Sequence, residues 1–188
     1  MKCNSCANEY PQPEIIEGTA YFVCVNCGNV HEVKDYQVYT KEERVELFEK
    51  ENGVKLPKEY INYAGTNDSW VVKLPPYNSD TTQYYFGEGF YEIGKFMSLE
   101  PDEGSSIFDN AMRIQSWDLP RRIVLIEGDG HTWLALDYRK SKDEPKVIVI
   151  ESSASNSLEV ANSFTEFVQL LLPYESVYDL DGNVIYNS

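Results

Sequence analysis

The sequence predicts an α+β protein with a mainly antiparallel sheet wrapped by helices, preceded by a small zinc ribbon. Three observations support this class. Helix-type segments are separated by runs of hairpin-linked strands, a strong hairpin signal spans residues 121–138, and two Cys-x-x-Cys pairs lie near the start. A chain of 188 residues allows one domain of ordinary size and a module too short to bury its own core. We place the ribbon at residues 1–37 and the larger domain at 38–188.

The predicted metal site uses all four cysteines of the chain, Cys3, Cys6, Cys24 and Cys27, which form two pairs separated by 17 residues. Each pair can direct two thiolates at one tetrahedral ion, and Gly28 lets the backbone turn behind the second pair. We therefore predict structural Zn²⁺. A redox dithiol and disulfides are the alternatives, and a reducing compartment disfavours disulfides. Four protein ligands leave no open position for water, so this metal would not be catalytic.

The ribbon itself is predicted to contain a strand over residues 20–23 and a return strand over residues 30–33. His31 could compete as a metal ligand, but with four cysteines present we expect it on the surface. Residues 1–37 carry five acidic and two basic residues, so they offer little to a phosphate backbone. A stabilising or partner-docking role is favoured over nucleic-acid binding.

Two helices are predicted to open the larger domain. Residues Thr40 to Glu43 match a capping box, and the helix that follows should end near Asn52-Gly53. A short second helix should have Pro57 at its first position and end at Gly65. Strand-like segments then cover residues 70–74, 84–86 and 90–97.

The next helix is predicted from Ile107 to Trp117, capped by Ser105 or Ser106, with Phe108, Met112 and Ile114 as candidate core residues. The hairpin follows: residues 123–126 and 132–138 are its strands, and Gly128-Asp129-Gly130 supplies the positive φ values of a tight turn. An unbroken apolar run indicates a strand covered on both faces, so we expect this pair in the middle of a sheet.

The remaining segments are a strand at residues 147–150, a helix and a hairpin. Ser163 to Glu166 form a second capping box for a helix that should continue to Pro173. Alternating apolar residues around Asp181-Gly182 indicate a late hairpin over residues 177–186.

The order of these elements resembles the SUKH superfamily, the fold shared by fungal cell-wall regulators and many bacterial immunity proteins against polymorphic toxins. Four segments between residue 40 and about residue 172 carry the resemblance: Leu56–Tyr60, Ile93–Leu99, Gly128–Gly130 with Trp133–Tyr138, and Val160–Phe167. The resemblance implies a sheet wrapped by helices and, in bacteria, an antitoxin that binds and blocks a toxin domain. It implies no catalytic residues. The ribbon in front and the hairpin behind depart from the family pattern.

Charge indicates what kind of partner to expect. The chain has 31 acidic and 16 basic residues and a net charge of −15, which repels nucleic acid and anionic membranes and favours a basic protein. A nuclease toxin fits, because it must present a basic cleft to phosphates. The candidate contacts are Asp102, Glu103, Glu127 and Asp129. No apolar run approaches the roughly 20 residues of a membrane span, and we expect a cytoplasmic protein.

Two other functions remain as alternatives. Glu127, Asp129, His131 and Asp137 fall within eleven residues and could form a hydrolytic or metal cluster, although strand alternation sends neighbouring side chains to opposite faces. We predict that the protein is not an enzyme. The other alternative is a regulatory adaptor that docks a partner through the ribbon.

Overall fold

The computed structural model describes residues 5–6, 14–16, 19–24, 26–32, 39–76, 89–101, 104–152 and 157–186. The chain divides into two compact units, Met1–Glu43 and Arg44–Ser188. The predicted boundary between residues 37 and 38 lies outside the described residues and stays a prediction. So does the predicted strand over residues 84–86. The architecture is α+β with antiparallel sheets, as the sequence predicted.

The first unit contains a three-stranded antiparallel sheet in the order β1 (Glu14–Ile16), β2 (Thr19–Val23), β3 (Val30–Glu32). The pairing of β2 with β3 confirms the two strands predicted around the second cysteine pair, and Val23 lies opposite Val30. Strand β1 was not predicted, because its three residues are too few to show a period.

Helix α1 (Lys41–Asn52) begins with the predicted capping box. The Thr40 N–H donates to Glu43 Oε2 at 2.8 Å, and the Glu43 N–H donates to Thr40 Oγ1 at 3.2 Å. These two bonds satisfy donors that the first turn of a helix leaves without partners. Helix α2 (Lys58–Tyr63) follows, and Pro57 has a ψ of 136°, so it precedes the helix instead of occupying its first turn.

Two sheets form the frame of the second unit. One has the order β10 (Leu171–Pro173), β4 (Trp70–Lys73), β5 (Phe90–Ile93). The other is an antiparallel meander of β6 (Ile123–Gly128), β7 (Thr132–Asp137), β8 (Lys146–Glu151) and β9 (Ser157–Ala161). The core lies against β6, β7 and β8, where at least four consecutive residues of each strand are buried. The continuous apolar runs in the sequence therefore do mark strands covered on both faces.

The hairpin of β6 and β7 forms as predicted, but β6 ends the order of its sheet instead of lying in the middle. Other groups occupy its outer edge. The Met97 N–H donates to Ile126 O at 2.7 Å. The buried Asn110 side chain donates to Ile123 O at 3.0 Å and accepts from the Leu125 N–H at 2.9 Å. The amide of Asn110 thus takes the place of a neighbouring strand, and β6 can remain buried.

Helix α3 (Asn110–Ser116) follows a 3₁₀ turn (Ile107–Asp109), and the Ser106 side chain accepts from the Phe108 N–H at 3.2 Å. Of the two caps that the sequence allowed, Ser105 and Ser106, it is therefore Ser106 that caps this turn. Phe108 and Ile114 pack against the core, but Met112 is 60% exposed, and its prediction as a core residue was wrong.

Helix α4 (Phe164–Gln169) starts at the second predicted cap, where the Ser163 hydroxyl accepts from the Glu166 N–H at 3.1 Å. The helix does not continue to Pro173. Residues 171–173 form β10, which pairs with β4 with Leu171 opposite Val72. Short apolar runs fit a helix or a strand equally, and the pairing with β4 decides the outcome. A last helix, α5 (Tyr174–Val177), precedes a turn closed by an antiparallel bridge between Tyr178 and Val184.

Candidate functional site

Three of the predicted metal ligands lie together in the first unit. The ligand atoms of Cys6, Cys24 and Cys27 all lie within 4.8 Å of one another. Cys24 is 1% exposed, Cys6 is half-buried and Cys27 is exposed. Cys3, the fourth predicted ligand, lies outside the described residues.

The geometry of this cluster suits a metal ion better than a disulfide. The Sγ atoms of Cys6 and Cys24 are 3.5 Å apart, well beyond the roughly 2.05 Å of a disulfide bond. A tetrahedral ion with Zn–S bonds of about 2.3 Å would hold its sulfurs about 3.8 Å apart. The Cys27 N–H also donates to Cys24 Sγ at 3.2 Å. The three cysteines can therefore bind a metal.

The backbone around Cys24 explains why the cluster forms. The Gly28 N–H donates to Cys24 O at 2.7 Å, and the Cys24 N–H donates to Asn29 O at 2.8 Å. Gly28 has a φ of +72°, which glycine adopts without strain. This turn brings Cys27 back toward Cys24, as the sequence predicted for the residue behind the pair.

Glu127, one of the predicted partner contacts, is largely enclosed. Its Oε2 accepts from the Tyr91 hydroxyl at 2.6 Å. Burial raises the pKa of Glu127 to about 7, the Tyr91 bond lowers it in part, and the nearby Asp129 carboxylate raises it further. Glu127 is therefore a poor source of fixed negative charge near neutral pH.

Asp129 is exposed at the tip of the β6–β7 hairpin, but its carboxylate also shapes the turn. Its Oδ1 accepts from the N–H groups of His131 and Thr132, both at 2.8 Å. Although burial opposes the effect, these two bonds and the charge of His131 leave the pKa of Asp129 below its ordinary value. The remaining predicted contacts, Asp102 and Glu103, lie outside the described residues.

The alternative catalytic cluster does not assemble. Asp137 lies opposite Ile123, at the other end of the hairpin from Gly128 and Trp133. Its carboxylate binds the Arg139 guanidinium in two places, at 2.8 Å each. Glu127 and Asp129 are therefore separated from Asp137 by the length of β7, and the four side chains do not meet around one substrate.

Sequence reasoning missed a cleft beside the hairpin. A cavity of about 590 Å³ opens between the end of α1, helix α3 and the start of β6. Its lining includes Ala111, Gln115, Asp118, Arg121 and Arg122. The positive charge of two consecutive arginines was visible in the sequence, but their position beside a cleft depends on tertiary packing.

Trp117 lies next to this cleft along the chain and packs on the hairpin turn. Its ring lies 5.6 Å from that of His131, in an edge-on arrangement, and 6.3 Å from that of Trp133. A Cβ on Gly130 would come within 2.9 Å of the Trp117 ring, so only glycine allows this close approach. Trp117 remains 36% exposed.

Comparison with known proteins identifies a family to which the chain is similar. The model of the SMI1 / KNR4 family (SUKH-1) matches residues 39–170, whereas no curated protein and no solved structure matches the chain. Within the described residues, no helix is long and apolar enough to cross a membrane. The match supports a role of the immunity-protein or KNR4 type, and proteins of this kind are generally non-enzymatic. Because the matched region covers more than half of the sequence, the chain belongs to the SMI1 / KNR4 family (SUKH-1).

Proposed function

We propose that this chain is a non-enzymatic immunity protein that binds and blocks a toxin domain, and that the toxin is basic, as a nuclease would be. Membership in the SUKH-1 family is the observation that carries the proposal. SUKH-family immunity proteins bind protein toxins, which supports a protein partner. The net charge of −15 supports a basic one.

The physical basis is electrostatic steering followed by close contact. Residues 38–188 carry 26 acidic and 14 basic residues, so most of the negative field comes from the family domain. A field of this sign speeds encounter with a basic surface, whereas the lifetime of the complex depends on buried apolar and aromatic contacts. A nuclease covered in this way could no longer bind its phosphate substrate.

In this proposal the metal is structural Zn²⁺, held by Cys3, Cys6, Cys24 and Cys27. The three cysteines that lie together and the N–H bond to Cys24 Sγ support this assignment. With four thiolates the coordination shell is closed, and the ion would stabilise the ribbon without taking part in chemistry.

A second candidate is a regulatory adaptor that uses the ribbon for docking. One observation favours it: Val23 and Val30 lie opposite each other on β2 and β3 and are 38% and 60% exposed. Facing residues of an antiparallel pair share one side of the sheet, so these valines form a small apolar patch. A pull-down that needs this patch and not the family domain would favour the adaptor.

Co-expression tests the main proposal. The proposal predicts that a toxin domain is encoded beside the gene for this chain, and that domain is expressed in cells with the wild-type chain, with no partner, or with an unrelated acidic protein of similar size. We expect growth to be rescued only by the wild-type chain. Equal rescue by the unrelated protein, or no rescue at all, would contradict the proposal.

A further inference from the structure

Trp117 directly precedes Asp118, which lines the cleft between α3 and the start of β6, and we call these residues together the Trp117 surface. It consists of Ala111, Gln115, Trp117, Asp118, Arg121 and Arg122. None of these residues was among the predicted partner contacts. The tip of the β6–β7 hairpin, with Asp129, borders this surface through the packing of Trp117 on Gly130 and His131.

The arginines of this surface differ from the others in the chain. The chain has five arginines. Three of them pair with carboxylates in the described structure: Arg44 with Glu100, Arg113 with Asp109, and Arg139 with Asp137. Within that same part of the chain, the guanidinium groups of Arg121 and Arg122 have no hydrogen-bond or ion-pair partner. In a chain with nearly twice as many acidic as basic residues, two adjacent arginines without carboxylate partners favour a ligand that supplies the carboxylate.

Arg122 has a backbone conformation that is unusual for arginine. Asp118 and Arg122 have φ values of +49° and +64°, and no other non-glycine residue in the described structure has a positive φ. Glycine fits this conformation best, and aspartate tolerates it better than arginine does. Folding alone would therefore favour glycine at position 122, and arginine occupies a backbone conformation that costs it conformational energy.

The apolar part of the surface is of the kind found in protein interfaces. Trp117, which directly follows α3, is 36% exposed. Tryptophan and arginine are enriched in protein interfaces, and they often contribute most of the binding energy. Trp117 is also held in place by the hairpin turn, so little side-chain freedom would be lost on binding.

We propose that the Trp117 surface binds a protein segment that carries a carboxylate next to an apolar side chain. The carboxylate pairs with Arg121 and Arg122, and the apolar side chain lies between Trp117 and the wall of the cleft. This inference rests on the proposed function, because it names the contact surface for the protein partner. It adds that a basic toxin contributes an acidic residue at this point, while the remaining acidic surface of the chain faces the basic groups of the toxin.

A displayed library of peptides of about twelve residues tests the surface without any toxin. The full chain is the bait, and the chain carrying Arg121→Ala and Arg122→Gly is the counter-selection. We expect the wild type to enrich peptides with Asp or Glu beside Leu, Ile or Phe. Synthetic peptides of this type should bind the double variant about tenfold more weakly or worse.

The variants are chosen so that loss of binding can be separated from loss of folding. Arg122→Gly removes the guanidinium at a position where glycine suits the backbone, so its urea midpoint should equal or exceed that of the wild type. The control removes two other exposed charges, by Lys58→Ala and Lys140→Ala, and should bind the selected peptides within about twofold of the wild type. Trp117 gives a direct optical signal, because its emission should shift to the blue when the peptide covers it, and Trp117→Phe should abolish the shift.

Each other outcome contradicts the inference. No enrichment, or peptides without an acidic residue, would show that the surface does not select this chemistry. Equal binding by the double variant would place the contact elsewhere. Competition by inorganic phosphate at concentrations at which sodium chloride of equal ionic strength has no effect would indicate a small-anion site instead of a protein-docking site. In each of these cases, rescue of cells from the toxin would still support the proposed function, so the two can fail separately.

Discussion

At the scale of single residues, Glu127 shows how burial raises the pKa of a carboxyl group. The sequence places it in a turn region beside Asp129, where an exposed carboxylate is the ordinary expectation. The structure instead gives it a hydrogen bond from Tyr91 and a pKa of about 7, because burial disfavours its charged form. The sequence could identify the turn but not the tyrosine from β5 that encloses the carboxylate.

The pH dependence of stability tests this environment. Between about pH 4.5 and about pH 7, Glu127 keeps its proton in the folded protein, where its pKa is about 7, but releases it in the unfolded chain, where its pKa is near 4.5. Stability contributed by this group therefore falls as pH rises from about 4.5 to about 7. Glu127→Gln keeps an acceptor for Tyr91 and removes the titration. In urea unfolding at pH 5 to 8, the free energy of unfolding of the variant minus that of the wild type should increase with pH; a constant or falling difference would contradict this.

Asn110 gives a second prediction at this scale. Its amide satisfies Ile123 O and the Leu125 N–H, and it is only 5% exposed. Asn110→Leu would leave both backbone groups buried without partners, at a cost of about 2 to 4 kcal/mol in the free energy of unfolding. Urea unfolding measures this loss. Gln115→Leu, at an exposed position on the same helix, is the control, and its free energy of unfolding should lie within about 0.5 kcal/mol of the wild-type value. A loss of less than about 1 kcal/mol for the Asn110 variant would show that the edge of β6 does not depend on this amide.

At the scale of elements, the β6–β7 turn depends on glycine for space as well as for conformation. A Cβ on Gly128 would overlap the buried Trp133 ring and come within 2.6 Å of Thr132 O. Gly128→Ala should therefore cost about 3 kcal/mol or more. Gly53→Ala is the matched control: its φ is also positive, at +64°, but nothing lies within 4 Å of the added carbon, so only about 1 kcal/mol should be lost. Equal losses in thermal unfolding would mean that packing against Trp133 is unimportant.

Elements marked by local chemistry could be predicted, and elements that depend on distant pairing could not. The capping box at Thr40 forms with both of its bonds, and Ser163 caps its helix through its hydroxyl, because these bonds join residues three positions apart. The Glu166 carboxylate accepts from the Asn162 N–H instead of from Ser163. The end of α4 was misplaced because β10 exists only through its pairing with β4, almost 100 residues earlier. Met112 was misassigned because helical periodicity identifies an apolar stripe but not which part of it the core reaches.

At the scale of the whole molecule, the metal assignment leads to a simple measurement. If Cys3 joins the three cysteines that lie together, the purified protein should contain one zinc ion per chain, released by a strong chelator with the appearance of four reactive thiols. Cys24→Ser removes the most buried of the three described cysteines and should abolish stoichiometric zinc. The Cys3→Ser variant should weaken zinc binding as well. Full zinc content in that variant would mean that the fourth ligand is another group.

The site as a whole was only partly predictable. The closeness of Cys6, Cys24 and Cys27 was predictable from spacing, since two Cys-x-x-Cys pairs favour four thiolates around one metal ion. The Trp117 surface could not be anticipated, because the contact of Trp117 with Gly130 and the cleft beside the two arginines both arise only when α3 packs beside the hairpin. Net charge indicated a partner of opposite sign but not the part of the surface that it contacts.

Calorimetric titration of the purified toxin domain with this chain, followed by an assay of toxin activity on the same samples, tests the central claim most directly. We expect one chain to bind one toxin domain with a dissociation constant of about 1 nM to 1 µM, which should increase with added salt. Toxin activity should fall in proportion to the fraction of toxin that is bound. Loss of toxin activity at far less than one chain per toxin would indicate catalysis, and the absence of binding would remove the toxin as the partner. Either result would contradict the account.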